Sequence, residues 1–301
     1  MQTPNAQAVR AAAGLAAMDR PHLGRRAVRL ARQYPLGAFG LLVLLLFIIL
    51  GVFGPALAPY NPRALNTGRP LALPSARHWF GTNTLGQDIF SRVLAGARIS
   101  LEISGAAVLI GGTVGSFLGI LAGYFGRWID YLLQRSSEAF YSFPSLILYF
   151  LLIAAFGQGV LTIIAAIGVA SVFSSNRVLR GATIAERGRA YVEAARAVGC
   201  PERRIFLRHV VPNVLPLAIV LMSGGLGGAV IAEATLAFLG LGVPPGTPSW
   251  GIDMSGNNLS VARLGYWQVI LFPGMAISLI VLGANLLGDA LRDILDPRMR
   301  H

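Results

Sequence analysis

Residues 103–126, ISGAAVLIGGTVGSFLGILAGYFG, run for 24 positions without a charge, and Gly111, Gly115, Gly119 and Gly123 recur in them at every fourth place. About 20 helical residues cross the roughly 30 Å of bilayer hydrocarbon, so this stretch is long enough to span. The glycine row removes side chains from one helix face and predicts that a second helix backbone lies close against it. Uncharged stretches at 33–62, 139–176, 209–232 and 264–288 repeat the pattern, and Gly157-Gln158-Gly159 divides the longest of them at a tight turn. Six spans follow, at 36–58, 99–126, 131–156, 160–177, 213–238 and 267–290. The chain is 54% apolar and 13% charged, with a mean hydropathy of +0.63. The fold class expected is an all-α membrane protein.

The net charge of +12 invites a nucleic-acid reading, but its distribution describes topology instead. Six arginines precede the first span, and Arg177, Arg180, Arg187, Arg189, Arg196, Arg203, Arg204 and Arg208 crowd the segment between spans four and five. Both segments are expected on the cytoplasmic side, and six spans return the C-terminus there with Arg292, Arg298 and Arg300. One loop disagrees: Arg63, Arg69, Arg77, Arg92 and Arg98 lie between spans one and two against Asp88. The other loops outvote it. The first span lies behind some 35 residues and is too long for a signal-peptide core, so it is read as retained.

These choices divide the chain into a cytoplasmic basic segment 1–35, a span 36–58, an extracytoplasmic loop 59–98, a five-span core 99–290 and a cytoplasmic tail 291–301. Within the first segment, Arg25, Arg29 and Arg32 suit either a basic amphipathic helix on the inner leaflet over 23–34 or a basic tail. In the outer loop Leu85, Ile89 and Val93 predict an interfacial helix capped by Asn83 or Thr84. The Pro/Gly-rich stretch 240–265 is expected to be an ordered outer loop.

Chemistry is scarce. There is no lysine, which excludes a Walker A loop; Cys200 is alone, and the four histidines lack ligand spacing, so neither catalytic residues nor a metal site are expected. Pro144 is expected to kink span three. Glu138 has Arg135 three residues away as a partner. Glu233, Gly224, Gly228 and Asn257 are candidates for a translocation path; structural pairing of Glu233 and helix packing of the glycines are the competing readings.

The segment 186–212 is the most informative. Ala190–Val198 is rich in helix formers, Gly199 can end a helix and Pro201 can begin another. Two short helices joined by a bend are expected, with Tyr191, Val192, Ala195 and Phe206 available to dock in a partner's groove.

Glu193-Ala194-Ala195, Gly199 and, after nine further residues, His209-Val210-Val211-Pro212 resemble the EAA loop of bacterial ABC importer permeases. HWFGTNTLGQDIFSRVLAGARISL (78–101), AEATLAFLGLGVPPGTPSWG (232–251) and GDALRDILDPR (288–298) are similar to the C-type permease of dipeptide, oligopeptide and nickel importers, with Asn83 and Gln87 where relatives often carry Asp and Arg. The resemblance implies a type I importer permease fold in the bacterial inner membrane, both termini cytoplasmic. It implies as partners a homologous B-type permease, two ATP-binding cassette subunits that bind ATP and magnesium, and an extracytoplasmic substrate-binding protein. The chain itself then carries no cofactor. Tyr191, Glu193, Ala194, Ala195, Gly199, Arg203, Arg204, Phe206 and Pro212 would couple to the ATPase, and di- or oligopeptides lead as cargo over nickel chelates, haem or another small solute. A secondary transporter would need mid-membrane carboxylates for ion coupling and discontinuous helices, whereas the carboxylates here lie nearer the helix ends and the basic 186–212 loop would have no role.

Overall fold

The computed structural model describes residues 30–244 and 246–295, all helices and connecting loops apart from one isolated bridge between Thr82 and Asp88. In chain order the helices are α1 (Pro35–Leu57), α2 (Ile89–Phe125), α3 (Arg127–Tyr141), α4 (Ser145–Phe156), α5 (Val160–Arg187), α6 (Ala190–Ala197), α7 (Glu202–Ile205), α8 (Val211–Phe238), α9 (Trp250–Asp253), α10 (Asn257–Ala262) and α11 (Gln268–Leu295). Among the described residues five helical runs are long and apolar enough to cross a membrane: α1, α2, α5, α7 continued into α8, and α11; α3 and α4, bent by 93°, pass the same test together and make a sixth if the pair is one span. Most of the 23–34 segment, and Asp296, Arg298 and Arg300, lie outside the described residues.

The glycine row performs the predicted packing. A Cβ added at Gly119 would stand 2.5 Å from the Asn176 carbonyl oxygen and one at Gly123 would stand 2.7 Å from that of Arg180, while Gly111 and Gly115 press still closer on Gly168 and Val172. Four α2 glycines thus face α5 residues that are also four apart, and the two backbones lie in direct contact. Gly37 and Gly40 of α1 meet Ala290, Gly283 and Leu287 of α11, and Gly54 meets Leu94 of α2. On the other side of α1, Leu42, Leu45, Ile49 and Phe53 are exposed, as a lipid-facing surface requires.

Three expectations need correction. No separate interfacial helix exists among residues 85–94: α2 begins at Ile89, and its N-cap is Asp88, which accepts from Ser91 N at 2.8 Å. From Ile89 onward the residues expected to form it are the first turns of α2, continuous with the span, because continuing a helix leaves fewer orphan amides than starting a new one. Span three is broken, not kinked. Pro144 has no N–H to donate, α3 ends at Tyr141, and α4 restarts at Ser145 with only 12 residues, about 18 Å of rise. Span four runs past 177 to Arg187, 28 residues in all, so Arg177, Arg180 and Arg187 sit on a helix and not in a loop.

The end of the bundle holding residues 58–88 and 239–267 is closed by an ordered cap. Trp250 is fully buried, donates its indole N–H to the Val93 carbonyl at 2.9 Å and meets Phe47 edge-on. Arg92 forms a buried pair with Asp253 at 2.5 Å and also donates to the Pro62 carbonyl. Asn83 donates to Gln87 at 2.9 Å, a neutral buried pair.

Because the α2–α5 contact leaves no room for a side chain, Gly115→Leu is expected to cost about 3 kcal/mol or more, read as a loss of folded monomer by size exclusion in detergent. Gly105→Ala in the same helix, with nothing within 4 Å of the added carbon, is expected to leave the profile unchanged.

Candidate coupling site and membrane cavity

The opposite end gathers the end of α2, the end of α5 and the 186–212 segment. Val192 and Ile205 are fully buried and Phe206 nearly so, packed with Ile120, Tyr124, Leu179 and Val214. These side chains fasten α6 and α7 to the bundle. Gly199 takes a φ of +78° between the two helices, a left-handed conformation that a Cβ disfavours. Pro201 caps α7, and α7 does not stand alone: Phe206–Val210 form a π turn through which it continues into α8. The expected second short helix is therefore the first part of span five. Pro212 supplies the reason for the wider turn, since a proline ring clashes with the carbonyl four residues before it in a regular helix.

Polar contacts brace the loop. Tyr191 donates its hydroxyl to Glu186 at 2.7 Å and receives a bond from Asn213 at 3.1 Å. Arg189 pairs with Glu186 at 2.7 Å. Arg196 pairs with Glu202 at 2.7 Å, and the Tyr124 hydroxyl also bonds Glu202. The Glu202 carboxylate raises the Arg196 guanidinium above its ordinary value, so that arginine stays charged. Arg187 donates to the Tyr124 carbonyl at 2.8 Å.

The predicted coupling residues therefore divide. Of the side chains expected to be available for docking, Val192 and Phe206 instead face inward, Phe206 against Tyr124 and Phe125, while Tyr191 is held to Glu186 but stays 38% exposed. Ala195 is half-buried. Glu193, Ala194, Gly199, Arg203, Arg204 and Pro212 are exposed, and among the described residues Glu193, Arg203 and Arg204 make no side-chain hydrogen bond or ion pair. Val198, 84% exposed, and Leu207, 53% exposed, add apolar surface that sequence reading overlooked. Tyr124, Glu186 and Glu202 were overlooked as well; the YFG ending of the glycine-rich stretch and the acidic residue after Pro201 were the available signals.

A cavity of about 220 Å³ lies between α2, α4, α5 and α8, lined by groups that include Gly112, Tyr149, Ser171, Ser175, Met222 and Gly228, with no charged side chain. Of the four path candidates Gly228 alone lines it. Gly224 packs against Gly288 of α11. Glu233 is 1% exposed, its carboxylate accepting from Ser100 at 2.9 Å and Ser249 at 3.0 Å, which ties α8 to α2 and the cap. Asn257 is exposed at the start of α10 in the cap. Among the described residues no group of three or more His, Cys, Asp or Glu could hold a metal.

Residues 115–301 match the family described as binding-protein-dependent transport system inner membrane component, and residues 23–74 match the N-terminal transmembrane domain of oligopeptide transport permease C. The chain is 38% identical to a dipeptide transport system permease protein of Alkalihalophilus pseudofirmus over 276 residues, covering 92% of this chain and 90% of that protein. It is 37% identical to a glutathione transport system permease protein of Pectobacterium atrosepticum over 280 residues, covering 90% of each. A glutathione transport system permease protein of Escherichia coli O157:H7 is 38% identical over 278 residues, 90% of this chain and 89% of that protein. With more than half of the chain inside the family match and nine-tenths of it aligned to such relatives, this protein belongs to the family of inner-membrane permease components of binding-protein-dependent transport systems.

Proposed function

We propose that the chain is the C-type permease half of an ATP-driven importer of di- or oligopeptides, with both termini and the 186–212 loop in the cytoplasm. The excess of arginine at that end supports the orientation. The names of the relatives support small peptides as cargo, and an uncharged, serine-dotted cavity suits substrates whose side chains vary. A homologous permease completes the pathway, a binding protein delivers substrate at the capped end, and two ATPase subunits, which bind ATP and magnesium, grip the loop.

One observation carries the mechanism: the second half of the loop is the beginning of span five. Displacement of the exposed surface around Glu193, Val198 and Arg203 by a closing ATPase acts on α8 as a lever acts on its shaft. The cavity wall carried by Gly228 and Ala229 then moves with it, biasing one access state over the other.

The double variant Glu193→Arg/Val198→Asp alters two exposed side chains, so its folding stability is expected to stay within about 0.5 kcal/mol of the parent. Peptide-stimulated ATP hydrolysis by the complex copurified with it is expected to fall about tenfold or more, the equivalent of about 1.4 kcal/mol of lost coupling. Unchanged stimulation would remove the loop from the coupling path.

Gly228→Leu fills cavity space with nothing within 4 Å of the first added carbon. Peptide uptake into proteoliposomes is expected to be lost while the partner subunits still copurify. Uptake that persists with ATP withdrawn and follows an ion gradient would support a secondary transporter instead.

A further inference from the structure

We propose that the corner between α2 and α3 binds the phosphate of an anionic phospholipid headgroup. A pocket of about 690 Å³ opens there, lined by Arg127, Arg187 and Arg196 together with Tyr124, Phe125 and Trp128. Its one carboxylate, Glu202, is already engaged by Arg196 and Tyr124. The pocket therefore carries a net positive charge. Arg187 uses one N–H on the Tyr124 carbonyl and keeps the rest of its fork available.

Arg127 is the informative residue. It follows Gly126, whose φ is +63°, and itself takes a φ of +54°, a left-handed conformation that arginine seldom adopts. Its side chain is exposed and makes no hydrogen bond among the described residues. Glycine or asparagine would suit that backbone better, so what distinguishes arginine there is the guanidinium. A planar fork of N–H donors matches a phosphate.

The apolar half of a lipid site is beside it. Trp128, Tyr131 and Leu132 are 70%, 66% and 56% exposed and share one face of α3. Such amphipathic aromatic surface sits at the boundary between headgroups and acyl chains. Depth agrees: the 28 residues of α5 rise about 42 Å against a core of roughly 30 Å, which puts its terminal Arg187 at headgroup level with room to snorkel. Because Arg187, Arg196, Glu202 and Tyr124 also brace the 186–212 loop, a bound headgroup links leaflet charge to the stiffness of that loop.

This inference rests on the membrane-spanning fold and not on the partner assignment, so the test uses the full chain without partners. The chain is placed in nanodiscs of equal parts phosphatidylglycerol and phosphatidylcholine, and the lipids retained on release are counted by native mass spectrometry. The parent is expected to retain phosphatidylglycerol in preference to phosphatidylcholine. Arg127→Asn, which suits the left-handed backbone and so keeps the fold, is expected to reduce that preference about fivefold, the value of about one interfacial arginine. Arg135→Asn removes the same charge from the same helix and is expected to leave the preference intact. Equal retention of the two lipids by the parent, or an equal fall in both variants, would overturn a local site. Displacement of the retained lipid by millimolar inorganic phosphate alone would overturn the lipid as its occupant.

Discussion

The bare face of α2 lying on the backbone of α5 is the contact from which the rest of the molecule is hung. Inside lipid there is no water to reward burial of apolar side chains, so helices associate through close van der Waals packing. Four glycines in register with four α5 residues allow that approach over three turns. The contact brings the ends of both helices to one level, so Tyr124 of α2 reaches Glu202 and Arg187 of α5 reaches back to Tyr124. The 186–212 segment is thus seated on the closely packed ends of α2 and α5 at one edge and runs into α8 at the other.

That asymmetry gives the segment its mechanical character. Val192, Ile205 and Phe206 act as an apolar root, whereas Glu193, Val198, Gly199 and Arg203 form the exposed crest. Gly199, at a φ of +78°, makes the bend between the two helices, and the π turn at 206–210 absorbs Pro212 without ending the helix. From Arg203 the helix runs unbroken through the π turn into α8, which lines the cavity. At the other end Trp250, the Arg92–Asp253 pair and Glu233 between Ser100 and Ser249 pin the cap to α2 and α8.

The existence of the apolar spans, the glycine contact, the Gly199 bend and the Arg135–Glu138 pair, found at 2.6 Å, were legible in the sequence because each rests on local spacing, whereas the break in span three was not. What was not legible depends on partners far along the chain. Glu233 was open to both a pathway and a structural reading, and the partners that tie it lie 133 and 16 residues away. The discordant positive loop is explained in part by Arg92, whose charge is spent on Asp253, 161 residues on. Helix ends were misjudged wherever α2 and α5 continue beyond the membrane, since hydropathy reports where lipid ends and not where hydrogen bonding ends. The inward turn of Phe206 could not be read from helices of eight and four residues, too short to display a periodicity.

Position-specific crosslinking in the assembled complex decides whether the crest of the 186–212 loop is the surface through which ATP hydrolysis drives this permease. With Cys200 replaced by serine, a single cysteine is placed at Val198 or, as a control on the capped end, at Asn257, and a short bifunctional reagent is added before and after ATP. An adduct between Val198→Cys and an ATPase subunit, altered in yield by ATP, is expected, and none from Asn257→Cys. Absence of the adduct from Val198→Cys, with the ATPase demonstrably bound, would contradict that role for the crest.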